Sequence, residues 1–163
     1  MVMGSATVDS SRAIKSPSFD IGGIFSGFNQ SMKDTQRYHP SRWHAMQLWQ
    51  AFVNNVDPLV KILHLPTAQG TIFAAINNPD KVEEDLNALL FSVYFAATTS
   101  LTSTDAANLL GQPKSTALNS YKQGLEQSLA GANILDTPSI RSLQALTIYL
   151  VSLHNVMSRI ELC

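Results

Sequence analysis

The chain has 163 residues, enough for one domain with a hydrophobic core. Charged residues make up 14% and hydrophobic ones 45%, and the net charge of −1 excludes a global field that would draw the chain onto nucleic acid. The one cysteine, Cys163, excludes a disulfide frame or a zinc site built within these residues.

Residues 1–39 read as a flexible Ser/Gly-rich leader without the apolar run of a secretory signal. Within it, "FDIGGIFSGF" (residues 19–28) is apolar enough to dock as a short arm, but Gly22, Gly23 and Gly27 argue against a stable helix. Residues 40–163 read as helical. Ser41 is a plausible N-cap, and Trp43, Met46, Trp49, Phe52, Val53 and Val56 make one apolar stripe. Pro58 disfavours helix at Asp57, so the first helix should stop near Asn55. Asn54 and Asn55 are then expected to satisfy loose backbone groups there. Asp57 is expected to cap a second helix that carries Leu59, Ile62 and Leu63 and ends before Pro66.

Thr67 is expected to cap a short helix over residues 68–76, and Asn78 with Pro79 to open a long one over 79–101. Its first turns hold Glu83, Glu84 and Asp85, where negative charge suits the helix dipole. Its core, "LLFSVYFAATTSL" (89–101), is too short and too hydroxyl-rich to span a bilayer and reads as a helix buried on most sides. Ser103 should cap a helix that Gly111 ends. Residues 113–135 carry Leu118, Tyr121, Leu125, Leu129 and Ala132 on one stripe. Thr137 with Pro138 should open the last helix, with Ile140, Leu143, Leu146, Ile148, Tyr149, Leu150, Leu153 and Val156. Ile148, Leu150 and Val151 span most of its circumference, so one core cannot bury them all. No segment alternates like a strand, and the expected fold is all-α, an irregular assembly of about seven helices.

The chemistry-bearing residues form no cluster. His64 follows Lys61 at the expected end of the second helix, where a cap on terminal carbonyls is favoured over a general base or ligand. His39 and His44 lie off the spacing that places two imidazoles on one helix face. His154 and Arg141, on the last helix, have no accompanying carboxylate pattern, and the consecutive acids at 83–85 diverge around a helix. Neither a nucleophile elbow nor a phosphate loop is present. "KDTQRYHPSRWH" (33–44) mixes basic and aromatic residues but has too few fixed charges for strong phosphate binding. No catalytic residue, metal site or cofactor is expected.

"LWQAFVNNVDPLVKILHLPT" (48–67) resembles the opening of the regulatory domain, or middle homology region, of fungal zinc binuclear cluster transcription factors. The resemblance continues through "NALLFSVYFAATTSLT" (87–102), "LLGQPKSTALNSYKQGLEQSLAGANIL" (109–135) and "SIRSLQALTIYLVSLHN" (139–155), in family order. It implies an all-α regulatory domain, here its first part only, since further helices usually follow. The family's DNA-binding module needs six cysteines, and none precedes Cys163. The motif residues Trp49, Asn55, Asp57, Pro58, Lys61, His64 and Pro66 are then expected to fix a helix corner. The implied role is regulation through protein contacts, with a full-length relative, a co-regulator or a second copy as partner. Direct specific DNA binding and membrane association are not expected. The implied setting is the nucleus or cytoplasm, in control of a secondary-metabolite gene cluster. A rival reading is a small-molecule binding protein or cofactor-free enzyme with His64, Tyr94, Tyr149 and His154 around a pocket. Another is a fragment of a longer factor.

Overall fold

The computed structural model describes residues 35–161, with side chains to residue 156. Residues 1–34, including the apolar segment 19–28, lie outside the described part. Among the described residues there are seven α-helices, two 3-10 turns and no strand. The first 3-10 turn, Thr35–Tyr38, packs on the helical body, so residues 35–39 of the expected leader belong to that body.

Helix α1 spans Arg42–Asn55, and Ser41 Oγ accepts the His44 N–H at 3.3 Å. Its buried residues are Ala45, Leu48, Trp49 and Phe52, at i, i+3, i+4 and i+7. Trp43 falls off that stripe and is 70% exposed, contrary to its expected place on the apolar face. Helix α2 is the single turn Asp57–Val60, shorter than expected, because Lys61 adopts a left-handed backbone (φ 48°) and ends it. Leu59 therefore points outward, 81% exposed, while Leu63 is buried. Helix α3 spans Leu65–Asn77. Pro66 sits in its first turn, where the missing N–H costs nothing, so it opens this helix, and Thr67 lies inside it instead of capping it.

The long helix expected over 79–101 is broken. A 3-10 turn at Pro79–Lys81 is followed by extended backbone at Val82 and Glu83, and α4 runs Glu84–Ser100. Val82 packs on the core, which rewards the break. Every residue of α4 from Asn87 to Thr99 is buried. Its hydroxyls survive burial by bonding their own helix: Ser92 donates to the Leu89 carbonyl, and Thr98 and Thr99 to those of Tyr94 and Phe95, each at 2.8 Å.

Thr102, not Ser103, caps helix α5 (Ser103–Leu110), accepting the Asp105 N–H at 3.0 Å, and Gly111 ends it with φ 67°. Helix α6 spans Lys114–Gly131, and turns continue to the left-handed Asn133 (φ 50°), so the helix is shorter than the expected 113–135. Helix α7 spans Ile140–Glu161. Helices α1, α6 and α7 pack around α4 as the central rod. Gly124 permits the closest approach: a Cβ there would lie 2.6 Å from the Phe91 ring.

His39 seals one end of this core. Its ring packs at a tilt on Phe91, 4.4 Å between centroids, and its Nε2 lies 2.8 Å from Asn87 Oδ1. The Asn87 amide in turn donates to Thr35 Oγ1 at 3.5 Å. This orientation gives neutral His39 its proton on Nε2. Burial lowers the His39 pKa below 6.5, against opposing effects of the Asn87 bond and the Asp80 charge. The unfolded chain therefore binds this proton more readily. The His39 contribution is complete above about pH 6.5 and is lost as pH falls through and below that value. Urea unfolding between pH 7.5 and 5 is expected to show stability falling with acid, and less steeply in His39→Gln. Equal slopes would remove His39 from the account.

Candidate functional site

The motif residues lie in α1, α2 and the start of α3. Trp49 stacks on Phe52 at 5.9 Å and meets Phe73 edge-on at 6.3 Å. Asn55 reaches across to α4, its Nδ2 donating to Ser100 Oγ at 3.2 Å, while Asn54 accepts from Gln50. Their expected role at backbone groups is thus taken by side-chain partners. Asp57 is buried, and its Oδ2 accepts Lys61 Nζ at 3.2 Å, where a cap on its own helix was expected. Pro58 lies in the first turn of α2.

His64 is not at a helix C-terminus. It precedes α3 as its N-cap residue, with Nδ1 2.8 Å from Thr67 Oγ1, so it faces the positive end of a dipole. It does border a cavity of about 200 Å³ floored by Leu63, Ile72, Leu86 and Leu89 and edged by Arg141 and Gln144. The Arg141 guanidinium is already engaged, 3.0 Å from Glu83 Oε2 and 3.6 Å from Asp85 Oδ1.

The other pocket candidates lie elsewhere. Tyr94 is buried in an aromatic cluster with Phe91 and Tyr121, and burial pushes its hydroxyl pKa well above the ordinary tyrosine value. Tyr149 packs on Phe95, and its pKa is pushed up to about 12 by burial and then by Glu126. His154 is on the solvent side of α7. Of the four, His64 alone lines one of the three described cavities. Among the described residues no group of three His, Cys, Asp or Glu side chains could hold a metal ion.

The most distinctive surface is on α7. Ser139 and Ser142 start the helix as a reciprocal box: Ser139 Oγ accepts the Ser142 N–H at 3.1 Å, and Ser142 Oγ accepts the Ser139 N–H at 2.9 Å. Ser139 thus replaces Thr137 as the opening residue. The inner face buries Ser142, Ala145, Ile148, Tyr149 and Ser152. The outer face leaves Ile140, Leu143 and Leu150 77%, 48% and 55% exposed. Beside α7 lies a second groove of about 310 Å³, against the α1–α2 corner and the end of α4. Sequence reasoning missed this groove. Its signal was the hydroxyl run Thr98–Thr99–Ser100 at the end of an otherwise apolar helix.

The chain is 36% identical over 140 residues to the aurofusarin cluster transcription factor of Gibberella zeae, covering 86% of this chain and 21% of that protein. It is 31% identical over 156 residues to the pyriculol/pyriculariol biosynthesis cluster transcription factor 1 of Pyricularia oryzae, covering 95% and 21%. C6 finger domain transcription factors, such as one from Arthroderma gypseum at 32% identity over 113 residues, also match. The chain belongs to the fungal C6-finger transcription factors. It corresponds to their regulatory region and spans about a fifth of the length of the first two relatives. No family model matches the sequence, and no solved structure matches it. The relatives of this C6-finger regulatory region are named as transcription regulators and not as enzymes. Among its described residues, no helix is long and apolar enough to cross a membrane.

Proposed function

We propose that the chain is a regulatory module for a secondary-metabolite gene cluster, acting in the nucleus through protein–protein contacts made by the outer face of α7. The observation that carries this reading is the row of exposed Ile140, Leu143 and Leu150 on that helix. A large apolar side chain left in water forgoes roughly 1.5–3 kcal/mol of burial, and several of them on one helix face favour association. The partner is a full-length relative, a co-regulator or a second copy. In this reading the module acts on a DNA-bound factor through protein contacts.

The test is association measured by size exclusion with light scattering, for the chain alone and with the regulatory region of a full-length relative. Association is expected in at least one case, and Leu143→Lys with Leu150→Lys should abolish it while leaving the circular dichroism unchanged. A wild-type chain that stays monomeric and ignores the relative, or a double variant that still associates, would refute the reading. Promoter fragments should show no sequence-selective shift with the chain at physiological salt.

A further inference from the structure

We infer that the groove between the α1–α2 corner and α7 is a docking site for a lysine or arginine side chain carried on an apolar segment of a partner protein. This deepens the protein-contact reading and rests on it for the identity of the occupant as a protein.

The groove holds about 310 Å³. Val56, Val60, Ala96 and Val151 supply apolar surface, and Leu59, 81% exposed, stands at its edge. The polar lining is three hydroxyls and the side-chain amides of Asn55 and Asn155. Thr99, Ser100 and Ser152 each donate their single proton to a carbonyl of their own helix, Phe95 at 2.8 Å, Ala97 at 2.7 Å and Ile148 at 2.7 Å. A hydroxyl has one proton and two lone pairs, so these three can only accept. Ser100 already accepts one bond from Asn55.

The backbone adds to this. Helices α1 and α4 both end here, at Asn55 and Ser100, and helix C-termini carry partial negative charge. The end of α4 already holds one ammonium: Lys114 Nζ donates to the carbonyls of Thr99 and Leu101 at 3.0 and 2.5 Å. None of the groove's lining residues is charged, so no carboxylate or fixed cation among them competes. An anion would find donors only in the Asn55 and Asn155 amides, the first already bonded to Ser100, and would otherwise meet hydroxyl lone pairs and negative helix ends, while a purely apolar group would strand the acceptors. A side chain with an aliphatic stem and a cationic head satisfies both. The stem lies on Leu59, Val60 and Val151, and the head reaches the hydroxyl oxygens.

The closing experiment uses n-butylammonium as probe, with 1-butanol and butyrate as controls, in amide-detected NMR titrations of the whole chain. Shifts are expected to centre on Val60, Ala96, Thr99 and Val151, with the ammonium bound at least about fivefold tighter than the alcohol and butyrate not bound. Thr99→Val with Ser152→Ala removes two acceptors and should erase that preference. As a tethered version, Val151→Lys should keep the melting temperature of the wild type or raise it, whereas Val151→Glu should lower it. Equal binding of alcohol and ammonium, shifts centred elsewhere, or equal loss in the lysine and glutamate variants would overturn the assignment. A negative titration alongside association that still depends on Leu143 and Leu150 would refute the groove alone. Loss of that association with a positive titration would refute the protein reading alone.

Discussion

Phe91→Ala is expected to destabilise the chain by about 3–5 kcal/mol, the range for removing a fully buried aromatic ring. Phe91 has no exposed surface and joins three parts of the fold. Its ring lies over Gly124 of α6, packs at a tilt on His39 at 4.4 Å and meets Tyr94 edge-on at 6.1 Å. The relation with Gly124 gives a sharper measurement than the single loss. In the native chain, Gly124→Ala drives a methyl group into a ring that its neighbours hold in place, and a cost of about 1–3 kcal/mol is expected. In the Phe91→Ala background the obstacle is gone. There Gly124→Ala should be neutral or stabilising by up to about 1 kcal/mol, the usual gain from alanine over glycine inside a helix. Urea unfolding of the four proteins forms the cycle. Additive effects would mean that the two residues do not share a contact.

Asn87→Ala should cost about 2–3 kcal/mol, because it removes two hydrogen bonds and leaves a partly buried imidazole N–H without its acceptor. Asn87 is itself buried and is the link between His39 and Thr35. Asn87→Asp distinguishes loss of shape from loss of polarity. A carboxylate facing Nε2 favours the imidazolium and raises the His39 pKa above its unfolded value. The stabilising term would then be present below the unfolded pKa and lost as pH rises through the folded one, the reverse of the wild-type trend. An Asp variant with the same pH slope as the native chain would show that His39 does not report on position 87.

Much of the helical punctuation was legible in the amino-acid order, because caps, prolines and glycines act within a few residues. Ser41 opens α1, Gly111 ends α5, and the Asn-Asn-Val-Asp-Pro run breaks the chain into a corner where expected. The boundaries that moved did so where one local signal had two meanings. Pro66 both stops a helix and begins one, and only the left-handed turn at Lys61 made it a beginning. The acids at 83–85 were read as one helical first turn. Val82 instead gains contact with the core by breaking the helix before them.

The sequence by itself determined that the chain is helical, that the 89–101 segment is buried, and that the last helix has more apolar surface than one core can hide. Hydrophobic periodicity and volume are properties of the order of residues. Which apolar residues stay outside was decided by tertiary packing. Trp43 and Leu59 looked like core and are exposed, because the roll of α1 and the brevity of α2 depend on what they pack against. The surfaces around α7 were likewise settled only in three dimensions. His64, Tyr94, Tyr149 and His154 share none of the described cavities, whereas Asn55, Ser100 and Ser152, far apart in the chain, line one groove. The physical reason is that a groove is made by the ends of several helices meeting, and no local signal in any one of them records where the others stop.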